Sequence, residues 1–137
     1  MVNYYVDSCI WLNLFKKETR NGVEYWRFAR DFIDNSDNKL IISTIVLKEL
    51  SFVLGKKFEI VKEFFNDYKE LSIVKTRSVD YDFARFLERK HDFILSFYDF
   101  LHIAIAKRLN VCLVTRDNDL MRVARCYVKV VKPEELL

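Results

Sequence analysis

Apolar and polar positions alternate along the chain between short runs typical of strands and longer runs typical of helices. The short, β-rich runs predict strands over residues 2–6, 40–42, 73–74, 111–114 and 127–131. Longer runs with apolar positions three or four residues apart predict helices over residues 8–15, 23–35, 44–54, 58–71, 79–93, 96–109 and 118–125. Strands and helices are therefore expected to alternate over most of the chain.

This alternation predicts a central sheet covered by helices on both sides. The runs 40–42 and 111–114 are continuously apolar, as expected of strands that are buried on both faces. Helices between successive strands imply right-handed crossovers, and so a mostly parallel sheet of four to five strands in a three-layer α/β/α fold. Ligands of such sheets bind beyond the carboxyl ends of the strands. We therefore expect the functional site at that edge.

Composition fits a single domain over residues 1–137 and excludes several kinds of site. The chain is 51% hydrophobic, carries a net charge of +3 that permits a nucleic-acid partner, and contains only two glycines. So few glycines exclude a glycine-rich phosphate loop. Its three cysteines are scattered through apolar runs, which is typical of reduced, buried thiols and not of a zinc site. No signal peptide or membrane-spanning run is recognised, so we expect a cytoplasmic protein without membrane contact.

Glu49 lies on the apolar side of the predicted helix 44–54. Helical geometry places it between Val46 and Val53, whereas Lys48 and Ser51 lie on the opposite side. A carboxylate in such a position needs a partner, a metal ion or a proton, because an unpaired buried charge is strongly destabilising. The alternative is a surface carboxylate at the edge of a wide apolar arc.

Three aspartates lie at the starts of predicted helices, where capping is the ordinary explanation. Asp7 and Asp117 each follow a predicted strand and directly precede a helix. Asp99 follows Ser96 at the spacing of a capping box. His102 lies on the same side of that helix as Asp99. We interpret it as a packed residue or a neighbour of a ligand, since the other candidate ligands are all oxygen donors.

Together the four carboxylates indicate a metal site. Asp7 and Asp117 follow strands whose carboxyl ends meet at one edge, and the helices that carry Glu49 and Asp99 are expected to pack beside that edge. Four converging carboxylates without basic partners would repel one another, and a divalent cation removes this conflict. Oxygen ligands select Mg²⁺ or Mn²⁺ over zinc or copper. We therefore expect one or two Mg²⁺ or Mn²⁺ ions at this edge.

Four segments resemble the motifs of PIN domains, and specifically of VapC-type toxin ribonucleases. Residues 5–12 resemble the family's first strand, acidic residue and apolar helix, and Ser43 with Glu49 is similar to its second motif. Residues 97–106, Phe-Tyr-Asp-Phe-Leu-His-Ile-Ala-Ile-Ala, match the third motif closely. Residues 113–120 resemble the last motif, with Leu120 where Phe is more usual. The resemblance covers essentially the whole chain.

The resemblance implies a PIN-like fold and a metal-dependent endoribonuclease that uses the four carboxylates as catalytic and metal-binding residues. Asp119 would be an auxiliary ligand, and Ser8 or Thr115 would orient carboxylates or water. It also implies a homodimer and a cognate VapB-like antitoxin whose peptide covers the active-site groove. The ions would activate a water molecule for attack on the RNA phosphodiester.

Contacts to the RNA phosphates would come from basic side chains near the site. Arg116 adjoins Asp117, and Lys16, Lys17 and Arg20 follow the first predicted helix. An ordinary solvated surface charge is the alternative for each of them.

Other functions stay open from the sequence. A phosphoacceptor receiver domain is disfavoured, because it needs an acidic pair after the first strand, where this chain has Asp7 alone. A non-catalytic module that binds RNA or a partner is disfavoured by the full set of carboxylates, which would repel phosphate. A nuclease with another role, in ribosomal RNA maturation or in DNA cleavage, stays open. Thiol catalysis is unexpected, since Cys9 and Cys112 lie in apolar runs without an adjacent base.

Overall fold

The fold alternates strands and helices, and the computed structural model describes residues 2–35 and 37–137. The strands are β1 (Val2–Val6), β2 (Thr19–Arg20), β3 (Val23–Glu24), β4 (Asn38–Ser43), β5 (Leu71–Val74), β6 (Cys112–Val114) and β7 (Val130–Val131). The helices are α1 (Ser8–Phe15), α2 (Tyr25–Ile33), α3 (Thr44–Leu54), α4 (Phe58–Asp67), α5 (Ser78–Lys90), α6 (Phe97–Leu109) and α7 (Asn118–Ala124). Short 3₁₀ turns occupy Gly55–Lys57 and Pro133–Leu136.

Five strands form one parallel sheet in the order β5-β4-β1-β6-β7. Strand β1 lies at its centre, with Tyr4 opposite Leu40 of β4 on one side and Cys112 of β6 on the other. The connections between its strands are helical, so all five carboxyl ends point to the same edge of the sheet. The predicted α/β fold with a parallel sheet of four to five strands is confirmed.

A small hairpin of β2 and β3 replaces the start of the predicted helix 23–35. Arg20 pairs with Val23 across a two-residue turn, so that the helix begins at Tyr25. Both turn residues, Asn21 and Gly22, have positive φ angles of 51° and 79°. Asn-Gly is the preferred sequence of such a hairpin turn, because both residues tolerate positive φ at low cost. The turn signal is therefore present in the sequence, although the helical pattern obscures it.

Three other predicted boundaries were wrong for local reasons. Helix α4 ends at Asp67 instead of residue 71, because Leu71 pairs with Leu40 in the sheet. Helix α5 ends at Lys90 instead of residue 93, since Asp92 and Phe93 both adopt positive φ, at 52° and 57°. The last strand covers only Val130–Val131, and residues 127–129 precede it outside the sheet.

Helix α6 passes through the middle of the core and carries two residues of the candidate site. Every residue from Phe100 to Ala106 is buried, including His102. Full burial of a Leu, Ile or Phe side chain contributes about 1.5–3 kcal/mol to the free energy of unfolding. Ser96 is the N-cap of this helix, and its hydroxyl oxygen accepts a hydrogen bond from the Asp99 backbone N–H at 3.2 Å. Its N-terminal end is thereby fixed in the position from which Asp99 reaches the site.

The cysteines are less buried than their apolar surroundings predicted. Cys126 is exposed, and Cys9 and Cys112 are half-buried free thiols. Cys126 follows α7 in a turn, where the apolar run no longer implies a core position. Within the described ranges, none of the helices combines the length and apolar character needed to cross a bilayer.

Candidate metal centre

Asp7 lies at the end of the central strand and is held by hydrogen bonds to both carboxylate oxygens. Its backbone N–H donates to Val114 O of β6 at 3.0 Å, which ties the two strand ends together. Oδ1 accepts from the Ser8 backbone N–H at 2.8 Å. Oδ2 accepts from the hydroxyl of Thr115 at 2.8 Å and from the thiol of Cys9 at 3.3 Å. The carboxylate is almost fully buried, so these donors fix its orientation.

Glu49 reaches the same place from α3 and meets His102 there. His102 Nε2 lies 2.7 Å from Glu49 Oε1 and 3.5 Å from Asp7 Oδ1. The Ser8 hydroxyl donates to Glu49 Oε1 at 3.3 Å, so that it bridges the two carboxylates. Burial lowers the pKa of His102, but the hydrogen bond to Glu49 and the charge of Asp7 outweigh burial and raise its pKa above the usual value.

Asp99 projects from the first turn of α6 toward the other acidic residues. Its pKa is raised to about 6, first by burial and then by the negative charge of Asp7 and of Asp117. His102 and a hydrogen bond with Ser96 act in the opposite direction without cancelling this effect. Asp99 therefore lies within range of the charges of Asp7 and Asp117, although burial is the largest cause of its raised pKa.

Asp117 combines a capping role with a place beside the site. Its Oδ1 accepts hydrogen bonds from the backbone N–H groups of Asp119 and Leu120, at 3.0 and 3.2 Å. The Asp117 backbone N–H donates to the hydroxyl oxygen of Thr115 at 3.2 Å, and that hydroxyl in turn donates to Asp7. Thr115 therefore links the two strand-end aspartates. Asp119, by contrast, forms a solvent-exposed pair with Arg122 at 3.4 Å, with both side chains 71% exposed.

The structure brings some of the predicted residues into direct contact and others only into electrostatic range. Donor atoms of Asp7, Glu49 and His102 lie within 4.8 Å of one another. Asp99 and Asp117 fall outside that inner group but share its negative potential.

The chemistry of these donors fits a hard divalent cation. In the described part of the chain, no Lys or Arg forms an ion pair with any of the four carboxylates. Carboxylate oxygens are the preferred ligands of Mg²⁺ and Mn²⁺. A bound ion would also offset the burial and the neighbouring negative charges that raise the pKa of Asp99.

Comparison with known protein families shows to which family this protein belongs. The family model of the PIN domain matches residues 4–125. The chain belongs to the PIN domain family. No curated protein sequence matches it.

Solved structures share the fold of this PIN domain at low sequence identity. FitAcB from Neisseria gonorrhoeae is 17% identical, with a TM-score of 0.69 over 96% of this chain and 98% of that chain. VapBC2 from Rickettsia felis, bound to a DNA fragment from its promoter, is 20% identical, with a TM-score of 0.68 over 96% and 98%. A toxin–antitoxin complex from Klebsiella pneumoniae is 20% identical, with a TM-score of 0.69 over 95% and 97%. At these identities the likeness concerns the fold.

Two side chains of this PIN domain reach the site although the sequence pattern does not indicate it. Cys9 lies in an apolar run of the sequence, yet its sulfur contacts the carboxylate of Asp7 and lies 3.4 Å from the Thr115 hydroxyl. Burial and the charge of Asp7 raise the pKa of the Cys9 thiol well above its usual value, so the thiol stays protonated. Tyr5 is predicted only as part of a strand, although its hydroxyl bonds to His102 Nδ1 at 2.6 Å.

The predicted phosphate-binding residues separate into two regions. Arg20 and Arg116 line a cavity of about 420 Å³ that also includes Tyr25 and ends at Asp117. The Arg116 guanidinium is already engaged, since it donates to both Glu134 oxygens at 2.8 Å and stacks 4.1 Å from the centre of the Tyr25 ring. This pairing fits a structural role better than a direct phosphate contact.

The two lysines after α1 are exposed but do not line that cavity. Lys16 borders an apolar cavity of about 600 Å³ between Phe15 and Ile60. The ammonium group of Lys17 lies 5.9 Å from the centre of the Trp26 ring. An RNA contact by either lysine stays a prediction.

We expect Mn²⁺ to raise the melting temperature of this PIN domain if the carboxylates bind the ion only in the folded state. An ion at a hundred times its dissociation constant adds about 2.7 kcal/mol to the free energy of unfolding. Differential scanning fluorimetry with increasing Mn²⁺ measures this effect. Asp7→Asn should abolish the shift, whereas Asp82→Asn, which alters an exposed carboxylate of α5, should retain it. A melting temperature that does not respond to millimolar Mn²⁺ would contradict a preformed site.

Proposed function

We propose that this PIN domain is a divalent-metal-dependent endoribonuclease and acts as the VapC-type toxin of a toxin–antitoxin pair. The observation that carries the proposal is the acidic cluster at the carboxyl edge of the sheet. Asp7 and Glu49 converge there, and the charges of Asp7 and Asp117 raise the pKa of Asp99. PIN domains are nucleases, so family membership supports hydrolysis of nucleic acid. The neighbours that are toxin–antitoxin complexes support the toxin role.

The four carboxylates would hold one or two Mg²⁺ or Mn²⁺ ions. Such an ion, when bound, supplies a Lewis acid that activates water and neutralises charge on the scissile phosphate. Ser8 and Thr115 orient the Asp7 carboxylate, whose oxygens would help to hold the ion. Asp117 keeps Oδ2 outside its helix cap, so this oxygen is available to the site. Asp119 is exposed and would join only after a rotation away from Arg122.

The RNA path would follow the cavity that leads from Asp117 to Arg20. Arg20 is exposed at the outer end of this cavity, where its guanidinium can contact a phosphate. The Tyr25 ring forms part of the wall and is half-buried against Arg116. A single strand of RNA would thus pass from a basic side chain to the acidic centre, where its phosphate meets the ion.

An antitoxin is proposed to cover the apolar face beside the site. Phe52 is 92% exposed and Ile60 is 72% exposed, although both are large apolar residues. Phe52 shares a cavity of about 480 Å³ with Glu49, so the apolar face is continuous with the acidic centre. A peptide with apolar side chains and a terminal basic group would match both features. Exposed apolar patches of this kind mark interaction surfaces.

Cleavage of defined RNAs with and without metal tests the proposal. Wild-type protein with Mn²⁺ should cut single-stranded RNA, and excess EDTA or the Asp7→Asn variant should stop the reaction. Asp82→Asn should cut at the wild-type rate, because its carboxylate is exposed on α5. Undiminished cleavage in EDTA would refute the metal mechanism, and RNA binding without any cleavage would favour a non-catalytic module.

Two further arms separate the substrate and the biological role. A DNA strand of the same sequence should stay intact. Cleavage of both the RNA and the DNA would indicate a general nuclease. Expression of the wild-type protein should arrest the growth of a bacterial host, and Asp7→Asn should not. Growth that is unaffected by active enzyme would favour a role in RNA processing. We further propose that the protein is a cytoplasmic homodimer. Size-exclusion chromatography with light scattering tests the dimer, and fractionation of the host cells tests the location.

A further inference from the structure

A buried polar chain lies directly beneath the acidic donors. It consists of Tyr5, Ser43 and His102, all of which are 0% exposed. A buried hydroxyl or imidazole that lacks a partner costs about 1–3 kcal/mol. Apolar residues would fill the same volume without this requirement, so packing alone does not account for the chain.

The donor and acceptor groups of this buried polar network allow its hydrogen bonds to run in one direction, toward Glu49. The Val46 backbone N–H donates to Ser43 Oγ at 3.4 Å, and Ser43 Oγ lies 2.6 Å from the Tyr5 hydroxyl. The Tyr5 hydroxyl lies 2.6 Å from His102 Nδ1, and His102 Nε2 lies 2.7 Å from Glu49 Oε1. If Ser43 donates to Tyr5 and Tyr5 donates to Nδ1, every group has both a donor and an acceptor. Nε2 must then carry the proton that Glu49 accepts.

We infer that Tyr5 and His102 are positioning residues that hold Oε1 of Glu49 and leave Oε2 to the metal ion. The inference rests on the proposed metal-dependent function. Tyr5 fixes the tautomer of His102 from one side, and His102 fixes the Glu49 carboxylate on the other. Residues that orient metal ligands through hydrogen bonds commonly change metal affinity about 10- to 100-fold when they are replaced.

The hydrogen bonds among Tyr5, Ser43 and His102 also join the elements that carry the other acidic residues. Tyr5 lies on β1 two positions before Asp7, which follows the strand in extended conformation, and residues two apart in extended backbone share a face. His102 lies three positions after Asp99 on α6, and residues three apart in a helix share a side. Ser43 ends β4 and caps the helix of Glu49. One set of hydrogen bonds therefore fixes the strand, the sheet edge and the two helices relative to one another.

Direct metal ligation by His102 is the competing role. Its Nε2 belongs to the inner group of donors with Asp7 and Glu49. A ligand nitrogen would have to give up its proton and its bond to Glu49, and Mg²⁺ and Mn²⁺ prefer oxygen donors. The geometry favours the positioning role, and the experiment below distinguishes the two.

Mn²⁺ affinity measured by electron paramagnetic resonance tests the inference without any activity assay. Tyr5→Phe removes one hydroxyl and should weaken Mn²⁺ binding roughly 10-fold, toward the lower end of the range for such partners. His102→Asn loses the donor to Glu49 and should approach about 100-fold. His102→Gln carries an amide N–H at about the reach of Nε2 and should recover most of the affinity. Wild-type Mn²⁺ affinity in folded Tyr5→Phe and His102→Asn would overturn the inference.

The protein contains a second tyrosine–histidine hydrogen bond, which serves as a matched control. His91 Nε2 lies 2.7 Å from the Tyr127 hydroxyl, outside the acidic site. Tyr127→Phe should therefore leave Mn²⁺ affinity unchanged, whatever it does to the melting temperature. An equal loss of Mn²⁺ affinity in Tyr127→Phe and Tyr5→Phe would overturn the positioning role, because general destabilisation would then explain both.

Imidazole ¹⁵N spectra with saturating Mg²⁺ decide between positioning and ligation. At a pH above the raised pKa of His102, the neutral tautomer with the proton on Nε2 should be present in the wild type and should mix with the other tautomer in Tyr5→Phe. Movement of the proton from Nε2 to Nδ1 on Mg²⁺ addition would make His102 a ligand and overturn the inference. Wild-type protein that binds neither ion would overturn the proposed metal site as well, whereas tight binding in all variants overturns the positioning role alone.

Discussion

Replacing Asp99 with Asn should lower the rate of RNA cleavage by roughly two to three orders of magnitude, the effect of removing one well-placed electrostatic group from an active site. The asparagine side chain keeps the shape of the aspartate and lacks its negative charge. Asp99 lies close enough to Asp7 and Asp117 for their charges to raise its pKa, so its own charge would act on the ion that is proposed to bind there. Initial rates on a defined RNA at saturating Mn²⁺ measure the effect.

Two controls distinguish a loss of catalytic activity in Asp99→Asn from a loss of the folded structure. The Asp99 backbone N–H and the Ser96 hydroxyl form the helix cap, and the substitution leaves that bond in place. Circular dichroism of Asp99→Asn should therefore match the wild type. Asp82→Asn, on the exposed side of α5, should cleave at the wild-type rate. A wild-type rate in Asp99→Asn would remove Asp99 from the catalytic centre.

The place of the candidate site in the fold could be predicted from the sequence, because strand ends and helix faces obey regular geometry. Asp7 could be placed at the edge of the sheet, since it directly follows an apolar run that forms β1. Glu49 could be directed inward, because the 3.6-residue period puts it among apolar neighbours on α3. The residue-by-residue roles of the carboxylates stay predictions, since the structure establishes where they lie and not what they bind.

Contacts between side chains that are distant in the sequence could not be predicted from strand ends and helix faces. Tyr5 and His102 are 97 residues apart, and nothing local indicates that their side chains meet. Arg116 adjoins Asp117, yet its guanidinium points to Glu134 near the C-terminus. Burial raises the pKa of Glu134, but the hydrogen bond from Arg116 outweighs it and lowers the pKa below the usual value. An exposed arginine and a paired arginine look the same in the sequence.

The raised pKa of Asp99 also predicts that this carboxylate destabilises the metal-free protein. A carboxyl group with a higher pKa in the folded state favours folding only while it is protonated. The usual pKa of an aspartate is 3.8 and that of Asp99 in the fold is about 6, so stability is lost as the pH rises from about 4 to about 6. A difference of about two pKa units corresponds to at most about 3 kcal/mol.

Asp99→Asn should therefore be more stable than the wild type at pH 7.5 in EDTA, by about 1–3 kcal/mol or several degrees in melting temperature. The difference should shrink toward pH 4, where Asp99 is protonated in the fold and the substitution no longer removes a charge. Saturating Mn²⁺ at pH 7.5 should reverse the order, because the ion stabilises the wild type through the same charge. Equal melting temperatures at pH 7.5 with and without Mn²⁺ would contradict this account. The reversal would tie the cost of this charge to the ion that Asp99 is proposed to bind.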